Sequence, residues 1–377
     1  MVNYFLLGIF IILLINYFLF LYGILSGLKK IKQCKSKELD EFISVIVPFR
    51  NESENKLSSL KSLSEQNYPE NKFEIIFVND SSEDNSLQIL LNNNKNKNVK
   101  VLNVPESFSD NSGKKRAVKY GIKNSIGDII VTTDADCIHS NNWLLSLLQC
   151  MDEKTGFVSG PVEFDDGPSL FSKLQKLEFA GLVLTGAGLI GINKPAICNG
   201  ANIAYRKKTF FDAGGFNNKM NLSSGDDELL MQNIREKTNF KIKFCWDSEA
   251  LVKTSSNKDL AQFYHQRKRW ASKGLFYGNK LLVLKLILIY LFYAGLILQL
   301  LLGVITSYIF FISFLLSIII KTLVEYRVVK RGEKLLSLKS VMKLFPFAEI
   351  LQIPYIIIAG ISGLAGNFEW KQRKLKR

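Results

Sequence analysis

Histidine is almost missing from this chain. The 377 residues hold two, His139 and His265, too few for a metal centre built on several imidazoles. Cysteine is scarce as well. The five, at positions 34, 137, 150, 198 and 245, form no C-x-x-C pair, and an odd number closes no complete disulfide framework. A reduced, cytoplasmic compartment is the simpler reading. The pattern G-x-x-x-x-G-K-[ST] does not occur, so there is no phosphate-binding loop of that kind. Acidic residues are outnumbered, 34 against 49 basic ones, for a formal net charge of +15. Such a balance fits nucleic acid, anionic lipid or phosphorylated substrates.

Long hydrophobic runs are abundant, and they lie at the two ends. "YFLLGIFIILLINYFLFLYGILSGL", Tyr4 to Leu28, carries no charge and can span about 30 Å of hydrocarbon. No basic segment precedes it and no small-residue cleavage site stands out, so it reads as an uncleaved anchor. Lys29, Lys30, Lys32, Lys35 and Lys37 follow directly, which places the N-terminus outside and the following residues in the cytoplasm. A second apolar region begins near Leu281. It is expected to form a helical hairpin turning near Gly303 to Ser307, with Lys321, Arg327, Lys330, Arg331 and Lys334 marking the return. The last segment, "LFPFAEILQIPYIIIAGISGLAG", contains Pro346, Glu349 and Pro354 and precedes the basic tail "WKQRKLKR". A full crossing would put that tail outside, against the charge rule. The segment is therefore expected to be re-entrant or interfacial, with a cytoplasmic C-terminus. Basic residues clustered beside apolar spans point to anionic lipid rather than nucleic acid.

The middle of the chain alternates two kinds of segment. "FISVIVPFRNE" (Phe42 to Glu52), "FEIIFVNDSSEDNS" (from Phe73), "VKVLNVP" (Val99 to Pro105) and "GDIIVTTDADC" (Gly127 to Cys137) read as buried strands. "KLSSLKSLSEQ" and "GKKRAVKYGIKNS" between them have helical spacing. Alternation of this kind implies an α/β domain with a mostly parallel sheet covered on both faces. Ligands in such sheets sit outside the carboxyl ends of the strands, and Asp80, Asp134 and Asp136 all fall there.

Each motif has a plain reading beside a chemical one. "DAD", Asp134 to Asp136, is a solvated acidic turn or a pair of hard oxygen ligands for Mg2+ or Mn2+ bridging to a diphosphate. Asp80 is a turn residue or a contact to a nucleotide base or ribose; Asp84 is the better candidate for a capping or turn role. Lys114, at the start of a basic helix, faces solvent or meets a phosphate near the helix N-terminus. "CNGANIAYRKKTFFDAGGF" (Cys198 to Phe216) is an ordinary strand–turn–helix, or a place where small residues let a substrate approach the backbone. In "SSGDDELLMQNI" two adjacent acids, Asp226 and Asp227, open a helix; capping explains one and leaves the other for a base role. "FYHQRKRWASKG" (Phe263 to Gly274) is a cationic collar at a membrane edge or part of a site for a charged leaving group.

Taken together, "VIVPFRNE", "VNDSSED", "GKKRA", "DAD", "GDDE" and "QRKRW", in this order from Ile43 to Trp270, resemble the family 2 glycosyltransferases, inverting enzymes with the GT-A fold. The resemblance implies a GT-A (Rossmann-like) cytoplasmic domain over residues 40–278, a transmembrane anchor over 1–30 and a membrane region over 279–377. It implies that the loop with Pro48, Arg50 and Glu52, together with Asp80, holds the nucleotide and that Lys114 helps hold the nucleotide sugar. Asp134 lies near the nucleotide and, with Asp136, is the expected metal site; Mg2+ or Mn2+ is the implied cofactor. "GDDE" matches the family's Glu-Asp pair with Asp226 in place of Glu, so Asp227 falls at the general-base position. "QRKRW" matches Q-x-x-R-W, which places Gln266 and Arg269 near the diphosphate and Trp270 at the acceptor, leaving Lys268 and Lys273 to the lipid collar. The implied partners are a nucleotide-sugar, with UDP-sugar as the expected donor, a lipid-linked or glycan acceptor, and the lipids of the inner (plasma) membrane, with no nucleic acid. Q-x-x-R-W is associated with processive cellulose, chitin and hyaluronan synthases. Here no F-x-V-T-x-K segment follows it and the membrane region is small. Transfer of one or a few sugars is therefore favoured over a processive polysaccharide synthase. The intact Asp134, Asp136 and Asp227 count against an inactive membrane scaffold.

Overall fold

A computed structural model of the chain describes every residue except 35–40, 56–57, 109–112, 217–224, 226, 275–276, 365–366, 371–372 and 377. The first element is the apolar helix α1 (Val2–Lys30). The middle of the chain then runs β1 (Ile43–Phe49), α2 (Ser59–Ser64), β2 (Phe73–Asn79), α3 (Ser86–Asn93), β3 (Val99–Asn103), α4 (Lys114–Lys123), β4 (Ile129–Thr132) and α5 (Trp143–Leu148). It continues with β5 (Thr155–Ser159), β6 (Val162–Phe164), α6 (Leu170–Gly191), β7 (Ile203–Arg206), α7 (Lys207–Asp212), α8 (Glu228–Lys237), β8 (Lys241–Phe244), β9 (Val252–Thr254) and α9 (Leu260–Ala271). Three apolar helices follow: α10 (Lys280–Ile305), α11 (Tyr308–Gly332) and α12 (Phe345–Leu364).

Seven strands form one sheet in the order β3-β2-β1-β4-β7-β5-β8. Pairing is parallel except at β7, which runs antiparallel to both β4 and β5. All residues of β1 and β2 are buried, which is why both read as mainly apolar runs; the polar Ser44 and Glu74 within them pair with each other at 2.6 Å. Their side chains alternate between two cores: Val45, Val47, Ile75 and Phe77 pack on one face, Ile46, Ile76 and Val78 on the other. Each such side chain contributes about 1.5–3 kcal/mol by leaving water. The chain moves outward from β1 to β2 and β3, then returns to place β4 on the other side of β1. That reversal opens a crevice between the carboxyl ends of β1 and β4, where the loop after Phe49 and the "DAD" turn both emerge.

Four helices are long and apolar enough to cross a membrane: α1, α10, α11 and the segment Met342–Gly363 that includes α12. The hairpin between α10 and α11 turns at Thr306 and Ser307, inside the stretch expected from the sequence. A buried polar cluster ties the helices together. Tyr17 donates to Glu325 at 2.7 Å and lies 2.9 Å from the Tyr293 hydroxyl; Lys321 reaches Glu349 (2.6 Å), Gln352 (2.7 Å) and Glu325 (3.1 Å). Such groups are costly among apolar helices unless paired, and here each finds a partner.

Helix α12 runs across its neighbours rather than along one of them. Phe345 and Glu349 meet Tyr326 and Lys321 of α11. Gln352 and Gly360 meet Tyr293 and Tyr290 of α10. Tyr355, Ser362 and Gly363 meet Phe263, Tyr264 and Ala271 of α9.

One expectation is overturned. Cys34 and Cys150 form a disulfide across 116 residues, leaving Cys137, Cys198 and Cys245 free. An odd count forbids complete pairing but says nothing against one pair. The chain leaving α1 passes the end of α5, and that meeting is visible only in three dimensions.

Candidate active site

The loops after β1 and β2 are built as one unit. Arg50, 4% exposed, donates to the carbonyl oxygens of Asp80 (2.8 Å) and Ser81 and pairs with Glu83 at 2.6 Å. Asn51 (φ 51°) and Ser81 (φ 58°) adopt the left-handed conformation that turns each loop back. The Asn51 side chain accepts from the Glu83 N–H at 2.9 Å, and the Glu52 N–H donates to Ser86 at 2.7 Å. Asp84 accepts from the N–H groups of Ser53 and Ser86, each at 3.0 Å. Burial pushes its carboxyl up, yet bonds from Ser53 and Ser86 bring it down to about 2, as suits a turn aspartate. Asp80, 2% exposed, is gripped by Arg116 at 3.1 Å. Pro48, Arg50, Glu52 and Asp80 all line the same cavity, and both terminal nitrogens of Arg50 donate to protein oxygens.

Beyond β4, Asp134 pairs with Lys114 at 2.6 Å, and Asp136 accepts from Thr254 of β9 at 3.2 Å. Ligand atoms of Asp134, Asp136 and Cys137 lie within 4.8 Å of one another. Cys137 is fully buried with its thiol toward Asp136, so what the site offers an ion is two carboxylates. That hard-oxygen set fits Mg2+ or Mn2+. His139 is buried, bonded to Ser62 (3.0 Å) and Thr133 (2.7 Å), with its ring tilted against Trp143. Burial pushes its pKa down to about 3. It braces the turn from behind and stays neutral.

Asp227 caps α8: one carboxylate oxygen accepts from the Glu228 N–H at 2.7 Å, the other from the Gly200 N–H at 2.9 Å. Capping and the base reading thus meet in one residue; Asp226 lies outside the described residues. Gly200 is fixed in turn by Thr132 of β4, which donates to its carbonyl at 2.9 Å. A Cβ on Gly200 would lie 3.2 Å from Lys114 Nζ and 3.3 Å from Asp227 Cβ, so a larger residue there would press on both groups. The "CNGAN" stretch therefore brings the backbone against the site. Burial pushes the Asp227 carboxyl up, but Lys273, Lys114 and the two N–H groups outweigh it and leave it lowered.

Lys273 corrects a second expectation. It is no lipid collar: 5% exposed, it pairs with Glu228 at 3.0 Å, and Tyr277 donates to the same carboxylate at 2.8 Å. Burial alone would lower the Lys273 pKa and raise that of Glu228; Glu228 and Asp227 reverse the first, and the second stays raised. Nothing in "WASKG" distinguishes an inward lysine from an outward one.

Gln266, Arg269 and Trp270 of α9 line the same cavity as the acids. Arg267, which the motif leaves unspecified, is 2% exposed and buried beneath them. It is clamped by Glu178 of α6, lies 4.3 Å from the Trp270 ring centroid, and donates to the Gln266 side-chain Oε1, which also accepts from Asn257 at 3.0 Å. Tyr355 of α12 donates to Glu178 at 2.8 Å. The cavity, about 1270 Å³, continues from these residues to side chains of α6, α10 and α12.

The sequence profile described as glycosyl transferase family 2 matches residues 44–216. A poly-beta-1,6-N-acetyl-D-glucosamine synthase of Staphylococcus epidermidis is 26% identical over 243 residues, 62% of this chain and 55% of the relative, so the match spans little more than half of that protein. A glycosyltransferase of Haloferax volcanii is 28% identical over 188 residues, 49% of this chain and 59% of its own. Among solved structures, a mannosyltransferase from Pyrobaculum calidifontis, determined in complex with GDP-Man and Mn2+, superposes with a TM-score of 0.59 at 17% identity, covering 95% of this chain and 99% of that one. At that identity the likeness is one of fold. The motifs, the sheet with its reversal at β1 and β4, and the profile match agree: residues 44–216 carry a family 2 glycosyltransferase domain, and the chain has the GT-A fold.

Proposed function

We propose that the protein is a membrane-bound inverting glycosyltransferase. It moves a sugar from a nucleotide-sugar, a UDP-sugar being the expected donor, to a lipid-linked or glycan acceptor at the cytoplasmic face of the inner membrane. Residues 1–30 anchor it, 40–278 carry the chemistry, and 279–377 form the membrane region. The observation that carries this reading is one cavity holding Asp227 on one side and the Asp134–Asp136 pair on the other, with Lys114 between them.

In this reading Asp80 and the Pro48–Glu52 loop seat the nucleotide. Lys114 exchanges its pairing with Asp134 for the donor's phosphate, while Gln266 and Arg269 approach the diphosphate and Trp270 the acceptor. Asp227 has two backbone donors on its carboxylate and, with about four lone-pair positions in all, keeps acceptor capacity for a hydroxyl. It takes the proton as the acceptor oxygen attacks the anomeric carbon opposite the diphosphate. The bond from that carbon to the diphosphate oxygen breaks, and configuration inverts. Arg269 and Lys114 face the charge growing on the leaving group. A divalent ion held by Asp134 and Asp136 would supply Lewis-acid neutralisation of the same charge.

Asp227→Asn is expected to abolish transfer while nucleotide binding stays close to wild type; wild-type turnover by this variant refutes the base assignment. Asp136→Ala is expected to lose activity together with metal dependence, and turnover still stimulated by Mn2+ counts against that site. The name borne by the staphylococcal relatives favours a second reading, a processive polysaccharide synthase. Product length after incubation with labelled nucleotide-sugar separates the two.

A further inference from the structure

The cavity changes character along its length. Around Lys114, Asp134, Asp227, Arg269 and Lys273 it is charged. Its far arm is walled by Val183 and Gly186 of α6, Leu286 and Tyr290 of α10, and Ile356 and Ala359 of α12. No charged side chain from these three helices lines it among the described residues. Tyr290 and Tyr355 bring the arm's side-chain hydroxyls, and Tyr355 is already donating to Glu178 at 2.8 Å. Gly360 sets the width: a Cβ there would lie 2.4 Å from Tyr290 Cε2, so α12 lies directly against α10. Both α10 and α12 belong to the helices apolar enough for a membrane.

Resting on the transferase reading above, we infer that this arm receives the hydrocarbon chain of an amphiphilic acceptor, whose nucleophilic oxygen then sits beside Asp227. The physical reason lies in the walls. A sugar polymer brings hydroxyls at every residue, and in this arm they would lose water without gaining partners. A hydrocarbon chain forfeits no hydrogen bonds on leaving water or lipid for an apolar slot. The charged end of the cavity holds the donor, and the junction at Arg269 and Trp270 is where the amphiphile's polar head meets it. Of the lipid-linked and glycan acceptors, the arm selects the lipid-linked one.

The test uses the full chain in lipid nanodiscs. A palmitic acid carrying a mid-chain diazirine is photolysed and adducts are mapped by peptide mass spectrometry. Adducts are expected on Leu286, Tyr290 or Ile356 and lost in Ile356→Trp. Adducts on Leu284 and Leu291, 51% and 44% exposed on the outer face of α10, persist as the record of surrounding lipid. In parallel, transfer from labelled nucleotide-sugars is followed by chloroform–methanol extraction. Product is expected in the organic phase, reduced about tenfold or more in Ile356→Trp with nucleotide binding unchanged; Leu286→Trp serves if the first variant fails to fold. Adducts confined to Leu284 and Leu291 overturn the slot whatever the transfer result. Aqueous or polymeric product made equally well by the tryptophan variant overturns the lipid acceptor and leaves glycosyl transfer standing. Failure of every nucleotide-sugar to bind or react removes the transferase reading, while adducts in the arm would still mark a lipid site.

Discussion

Asp227 caps α8 and in the proposed mechanism is also the base, and its neighbours allow both. Buried carboxylates tend to take up a proton; here Lys273 and Lys114 hold it ionised, with its pKa below the usual aspartate range. In the proposed mechanism it therefore stands ready to accept a proton without first losing one. The same lowering contributes stability above the ordinary aspartate value of about 3.9 that is lost as the pH falls through the lowered one. Lys273→Met removes the foremost cation, so the Asp227 pKa should rise. The acid limb of the kcat–pH profile should then move toward neutral, with the rate at about pH 6 falling relative to pH 8. An unmoved limb rules out this role for Lys273. The acids were legible in the sequence because a carboxylate after a buried strand or before a helix has few places to point. Lys273 was not. A lysine just after the cation-rich Gln266–Trp270 stretch looks the same locally whether it faces lipid, substrate or a buried glutamate.

At the scale of elements, α9 is the part whose position is fixed from outside itself. Its N-terminus is capped by Asp259, which accepts from the Gln262 N–H at 2.8 Å. Its inner face is set by Arg267 between Glu178 of α6 and the rings of Phe263 and Trp270. A planar guanidinium can grip a carboxylate and stack on an indole together; an ammonium cannot. Arg267→Lys is therefore expected to lower kcat by about tenfold or more while donor KM changes little, because Gln266 and Trp270 lose their common support. A rise in donor KM with unchanged kcat would show that α9 needs no such support. Strands β1 to β4 and helix α4 follow from apolar runs and their spacing. Helix α6 was not anticipated. It is apolar on several sides because it packs on α1, α11 and the sheet-side strand β6 at once, so it shows no single stripe, and its contribution of Glu178 to α9 spans 89 residues of sequence.

At the scale of the whole molecule, four helices are long and apolar enough to cross a membrane, and their proposed orientation can be tested directly. The turn between α10 and α11 lies at Thr306 and Ser307, and α12 meets α11 near its N-terminal end and α9 near its C-terminal end. A cysteine placed at Ser307 is expected to react with a membrane-impermeant maleimide in intact cells, and one placed at Lys334 only after lysis. The reverse pattern would invert the proposed orientation and would set the Cys34–Cys150 disulfide in an oxidising space, where such bonds persist.

By itself the sequence determined the alternating α/β order, the apolar ends and the ordered acids, because burial on both faces of a sheet and the length of a membrane helix leave direct marks in residue type. The tertiary structure decided which cations serve the site, that α6 and α12 hold α9, that Cys34 meets Cys150, and that the catalytic cavity runs into an apolar arm. Each of these is a meeting of segments far apart in the chain. Local composition records what a residue prefers, but not which distant residue will satisfy it.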